Sequence, residues 1–209
     1  MKVLIVSMVF SPSGSVATER MRKFIKYTSI KNIDVLCLSE QGLINIRGEQ
    51  EIDRQSFDEI ANKFNRVPKK ENRSIKSFIS IVMLILSLVR IPDKYSLHAS
   101  KLYSRFSFDE KYDAILATGP VFSNHLLGFY ISKKLKCKLI LDYRDPWTIN
   151  DDYYKSKLSI FFWMNRILES IFIRSAQKIL VTTESFKIKM IKEFKLDEKK
   201  LVIIPNGYD

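Results

Sequence analysis

The chain is poor in the residues that build small cross-linked or glycine-threaded folds. Its 209 residues include two cysteines, six glycines, six prolines and two histidines. Cys37 and Cys137 stand 100 positions apart and outside any CxxC pattern, which excludes a disulfide scaffold and a thiolate zinc site. Each adjoins a strand-like apolar run, and both read as reduced core thiols of a cytosolic protein. The low glycine and proline counts exclude collagenous and low-complexity chains. His98 and His125 have no carboxylate or cysteine neighbours at ligand spacing, so no metal site is expected. GxGxxG and GxxxxGKS/T are both absent. Their absence removes the signals for dinucleotide binding and for the phosphate-cradling loop of the common ATPases and GTPases.

Acid is the other shortage. Lys plus Arg number 35 against 23 Asp plus Glu, a formal charge of +12. Such a field calls for an anionic partner: nucleic acid, an acidic membrane surface or phosphorylated small molecules. The lysines are dispersed along helical stretches without aromatic platforms, so no nucleic-acid partner is expected. Met1-Lys2 precedes the apolar stretch Val3 to Phe10, and Ser15-Val16-Ala17 faintly resembles a signal-peptide cleavage site. The stretch works better as a buried first strand.

What is present is enough apolar material for one large domain, 46% of the residues. Val3 to Val6 is a continuous aliphatic run, followed by the turn-forming Ser11 to Ser15 and then Met21, Phe24, Ile25 and Thr28 at helical spacing. Further strands are expected at Ile33 to Leu38, Tyr112 to Ala117, Lys138 to Asp142, Lys178 to Thr182 and Leu201 to Ile204. Helices are expected from about Val121, Tyr154 and Glu184. Uniformly apolar strands separated by helices predict an α/β domain, a Rossmann-like doubly wound parallel sheet over residues 1–204. Ligands of such sheets sit beyond the carboxyl ends of the strands.

Residues 40–73 break the alternation, being polar and charged, and predict an irregular or mobile insertion. Residues 74–91 follow as a helix apolar on nearly every side, including Ile81, Leu84 and Leu88. Arg73 and Lys76 flank one end and Arg90 and Lys94 the other. At 1.5 Å per residue it reaches about 27 Å, just short of a membrane crossing. A buried helix, a helix lying in the lipid interface and a true span all remain open. Basic residues at both ends suit a helix lying flat on anionic lipid.

Three loops carry candidate chemistry. Gly14, Ser15 and Thr18, after the first strand, could offer amide and hydroxyl donors to an anion at a helix N-terminus, or form an ordinary turn and cap. His125 enters a helix after Thr118-Gly119-Pro120, where it faces a ligand or is a satisfied structural side chain. Asp142-Tyr143-Arg144-Asp145-Pro146-Trp147 follows a buried strand directly. Here Asp145 could act as a base toward a hydroxyl and Trp147 could cover a sugar face. The alternative is a local ion pair with Trp147 in the core.

Taken in order, Thr118-Gly119-Pro120 to Ser123-x-His125-Leu126-Leu127-Gly128, Asp142 to Trp147, Val181-Thr182-Thr183-Glu184 and Val202 to Asp209 resemble the N-terminal half of family 4 glycosyltransferases. Ile91-Pro92-Asp93 fits the same pattern. The resemblance implies the acceptor-binding domain of a GT-B enzyme, a retaining transferase that needs no metal or cofactor and uses a nucleotide-sugar as co-substrate. It places the loop around Gly14 toward the donor phosphates or acceptor, with His125, Arg144 and Asp145 lining the cleft; together with the loop readings above, the expected catalytic residues are His125 and Asp145, and the expected substrate-binding residues are Gly14, Ser15, Thr18, Asp142, Arg144 and Trp147. Residues 205–209, with Asn206 and Gly207 as hinge, resemble the link to a donor-binding domain. That domain is expected in cis or as a partner subunit, with little activity from residues 1–209 alone. The resemblance and the charge together lead to the expectation of work in surface-polysaccharide assembly (capsule, O-antigen or lipopolysaccharide). The expected acceptor is a glycan or lipid-linked glycan, at an anionic, cytoplasmic membrane face, with peripheral attachment through Ile81, Leu84, Leu88, Arg73, Lys76 and Arg90. A catalytically inert docking module of the same fold is the alternative.

Overall fold

A computed structural model of the chain describes residues 1–7, 16–37, 42–47, 78–106, 109–150 and 159–206. The strands among the described residues are β1 (Lys2–Ser7), β2 (Asn32–Cys37), β3 (Gly42–Arg47), β4 (Ala114–Gly119), β5 (Lys138–Tyr143), β6 (Lys178–Val181) and β7 (Leu201–Ile203). The α-helices among the described residues are α1 (Val16–Tyr27), α2 (Phe78–Leu88), α3 (Ser96–Arg105), α4 (Ser123–Leu135), α5 (Ile160–Ser175) and α6 (Glu184–Phe194). The strands form one sheet in the order β3-β2-β1-β4-β5-β6-β7, parallel except where β3 joins β2.

Strand periodicity explains the layering. Leu4, Val6, Ile115, Ala117, Leu139 and Leu141 turn to one face, in a core shared with α3, α4, α5 and α6. Val3, Ile5, Ile33, Val35, Ala114 and Leu116 turn to the other, against Met21 and Ile25 of α1. Right-handed crossovers account for this division, because the chain leaves β1 in one direction to reach β2 and runs the opposite way from β4 to β7. The order therefore reverses between β1 and β4, and in sheets of this topology the ligand crevice lies there, at the carboxyl ends of the strands.

One expectation needs correction. The stretch 40–73 is not irregular throughout, since it contains the strand β3, antiparallel on the sheet edge from Gly42↔Cys37 to Arg47↔Asn32. An edge strand needs backbone pairing on one side only, and Leu43, Ile44 and Ile46 supply strand-forming residues amid the charge. The rest of that stretch, and residues 74–77, lie outside the described residues. The apolar helix is α2, and it is not buried all round: Met83 and Ser87 face inward while Ile81, Leu84, Leu88 and Arg90 are exposed. Among the described residues no helix is long and apolar enough to cross a membrane.

Helix α4 rests on β4 through Gly128, where an added Cβ would stand 2.7 Å from the Cβ of Ala117. Strand backbone holds Ala117 in place, so the helix would have to lift. Gly128→Val is expected to cost roughly 2–3 kcal/mol by overpacking. Thermal denaturation should show a melting point lower by about 5–10 °C.

Candidate active site at the carboxyl edge of the sheet

The crevice is organised by a buried ion pair. Asp142, near the end of β5, accepts hydrogen bonds from Arg20 Nε at 3.2 Å and Arg20 Nη2 at 2.8 Å, and from Thr118 Oγ1 at 3.1 Å. The remaining nitrogen of Arg20, Nη1, donates to the carbonyl of Pro205 and to Asn206 Oδ1, each at 3.1 Å. One guanidinium thus joins α1, β5 and the segment leaving β7, with Thr118 adding β4. The planar fork of arginine suits this task because it offers donors in several fixed directions. Sequence reading missed Arg20, whose signal was only a cation on the inward face of α1 beside Met21.

The loop after β4 is held from below. Asp93 accepts from the Ser123 backbone at 3.0 Å and from Ser123 Oγ at 2.6 Å, capping α4 from a distant segment. Asn124 Nδ2 donates to the Thr118 carbonyl at 2.6 Å. Between them Val121 adopts φ 112°, a strained conformation for a β-branched residue, at the mouth of the crevice.

His125 is fully enclosed, so its assignment as a catalytic residue is corrected to one of positioning. Its ring packs against Phe122 and Tyr143 at centroid distances of 5.5 and 4.6 Å, with Nε2 3.3 Å from the Asp142 carbonyl. Burial pulls its pKa down to about 4, against the opposing pull of the Asp142 and Ala117 carbonyls. A neutral imidazole with no route to solvent does not exchange protons with a substrate. Trp147 is corrected likewise: it is 0% exposed and stacks on Phe122 at 4.5 Å and 7°. Its indole seals the core beneath the loop and offers no face to a sugar. Asp142, assigned to substrate, is instead saturated by Arg20 and Thr118.

Asp145 does face outward, while the side chain of Arg144 beside it is mostly covered. Arg144 Nη2 and Nε lie 3.1 and 3.2 Å from Asp145 Oδ2, and the Asp145 side chain is 51% exposed. Thr182 Oγ1 fixes the turn by donating to the Arg144 carbonyl at 3.2 Å. A pair this open contributes little to stability, which leaves the carboxylate free to exchange partners. Gly14, Ser15 and Gly207 lie outside the described residues, as do Arg73 and Lys76, while Thr18 falls in the first turn of α1. The described residues contain no cluster of three or more His, Cys, Asp or Glu that could hold a metal.

The same loop is anchored from behind by Glu169 of α5, a second residue that sequence reading missed. Glu169 Oε2 accepts from the Thr148 backbone at 3.0 Å and from Thr148 Oγ1, and Arg166 Nη1 donates to that hydroxyl at 3.1 Å. The Tyr143 hydroxyl lies beside this carboxylate, and burial with the negative neighbour raises its pKa well above the usual value. Burial pushes Glu169 up to about 7, although Thr148 and Arg166 pull it down.

The sequence model of Glycosyltransferase Family 4 matches residues 60–209, which include the loops of this edge after β4, β5, β6 and β7 and leave out those after β1 and β2. The chain belongs to glycosyltransferase family 4. No curated protein matches it. A family 4 domain binds nucleotide-sugar donor and acceptor in general terms.

Two outcomes follow from the buried groups. Glu169 holds its proton in the folded state up to about pH 7, while the unfolded chain releases it near 4.5, so its burial costs stability increasingly as pH rises between those values. Glu169→Gln, which keeps an acceptor for Thr148, should therefore gain relative to the parent as pH goes from 5 to 8; melting curves at both values check this. Arg20→Ala or Asp142→Ala alone should cost roughly 3–5 kcal/mol by stranding a buried charge. The paired Arg20→Met, Asp142→Leu variant should unfold at higher urea than either.

Proposed function

We propose that this domain is the acceptor-binding half of a retaining, nucleotide-sugar-dependent glycosyltransferase that builds a bacterial surface polysaccharide such as capsule, O-antigen or lipopolysaccharide. The acceptor is a glycan, carried on lipid at the cytoplasmic face of the membrane, and a donor-binding domain, in cis or as a partner subunit, completes the cleft. The observation that carries the reading is the family 4 match across the loop in which Asp145 is solvent-facing beside Arg144.

In this reading Asp145 accepts a hydrogen bond from the acceptor hydroxyl and orients its lone pair toward the anomeric carbon. Arg144 holds the carboxylate until the acceptor replaces it. The acceptor oxygen bonds to the anomeric carbon as the bond to the nucleoside diphosphate breaks, and the hydroxyl proton leaves with the departing phosphate on the same face. His125, Trp147 and Glu169 hold the loop in place from inside and do not touch substrate. The exposed apolar side of α2 and the net charge of +12 support a membrane location.

The test uses the natural enzyme with labelled nucleotide-sugars and lipid-linked acceptors. Asp145→Ala is expected to lower turnover by roughly 100-fold, as for loss of a group acting on the reacting hydroxyl. Its melting point should stay within about 1 °C, as for an exposed substitution. Full turnover in this variant removes Asp145 from the mechanism.

A further inference from the structure

Helix α5 is built inside out. Its inward face carries the polar Asn165 and Glu169 among Phe162, Phe172 and Ile173. Its outward face carries Ile160, Trp163, Ile167 and Ile171, of which Trp163 and Ile167 are 55% and 58% exposed. The spacing of three, four and four residues makes a single stripe, about 16 Å long. An amphipathic helix normally turns such a stripe to the core. Here the inward carboxylate is needed to hold Thr148, and the apolar side is left facing out.

The stripe is not isolated. Helix α2 carries Leu84, Ile85 and Leu88 exposed, and α2 and α5 belong to the same layer, on the side of the sheet also covered by α3 and α4. On these four helices the exposed charge has one sign, while α6 of the same layer carries Glu184 and Glu193, the latter paired with Arg166 of α5. Across α2, α3, α4 and α5 the only acidic residue is Glu169, which is buried. The exposed cations include Lys101, Lys133, Lys134 and Arg174. Apolar stripes among cations, with no exposed acid on the same four helices, complement an anionic bilayer: headgroups meet the lysines while Trp163 and the aliphatic side chains enter the interface.

We propose that α5, together with α2, is a docking face for anionic lipid, with Trp163 as its interfacial anchor. The proposal deepens the membrane part of the function given above and rests on that part alone. It also orients the enzyme, because the crevice lies at the strand ends, along one margin of the docked layer, and not opposite it.

The chain is mixed with vesicles of phosphatidylcholine containing about one-third phosphatidylglycerol, and with pure phosphatidylcholine vesicles, and bound protein is measured by flotation at low salt. Binding to the anionic vesicles only is expected, with a blue shift of tryptophan emission. The chain has two tryptophans, and Trp147 is already buried, so the shift reports Trp163. Trp163→Glu and Ile167→Glu should each weaken binding roughly tenfold or more, from the lost apolar burial, with unchanged melting points. Absence of binding, equal binding to both vesicles, or parental binding by both variants overturns the proposal. A dimer in light scattering that Ile167→Glu dissolves, without vesicle binding, assigns the face to a second copy and overturns it too. No sugar is involved in any arm, so loss of the transferase reading would leave this result standing, and the reverse.

Discussion

The structure turns on the pairing of Arg20 with Asp142. A carboxylate at the end of a central strand, sealed from water, is tolerated only with a charged partner and further donors, and α1 and β4 supply both. The guanidinium then has donors left over, and these take up Pro205 and Asn206 where the chain leaves the last strand. The same contact thus sets the position of α1, the end of β5 and the exit of the chain, three elements far apart in sequence. A donor or acceptor bound in the crevice would meet a floor already fixed by this network, so little reorganisation would remain when it binds.

A second polar cluster does the corresponding work one helix away. Glu169 grips Thr148 and lies beside Tyr143, while Phe122 stacks on Trp147 and flanks His125. The loop carrying Arg144 and Asp145 is therefore clamped by aromatic packing beneath it and by a carboxylate behind it. The clamp has a structural consequence on the far side of α5. With its polar residues turned inward, that helix presents isoleucines and a tryptophan to the exterior, so the demand of the site and the apolar surface have one origin.

The alternating runs of aliphatic residues were enough to read most of the sheet, because strands buried on both faces leave a dense and local signature. The site was legible only in part. Asp145 stands outside the core, as a carboxylate beside a proline suggests, with Arg144 mostly covered next to it. His125 and Trp147, in contrast, have the composition of a binding site and the placement of a core. Burial depends on which helix and loop close over a residue, and no local pattern encodes that closure. Strand β3 was hidden because an edge strand needs little hydrophobic signal when its neighbour's backbone does the pairing.

Sequence alone determined the parallel α/β class, the family resemblance, the excess of positive charge and the apolar character of α2, all properties carried by residues close together along the chain. Tertiary structure decided the partners: Arg20 for Asp142, 122 positions away, and Glu169 for Thr148, 21 positions away. It also decided which way each amphipathic helix faces. An ion pair or a buried carboxylate acquires its energy from the water that its surroundings exclude, and that exclusion exists only once the distant elements have packed.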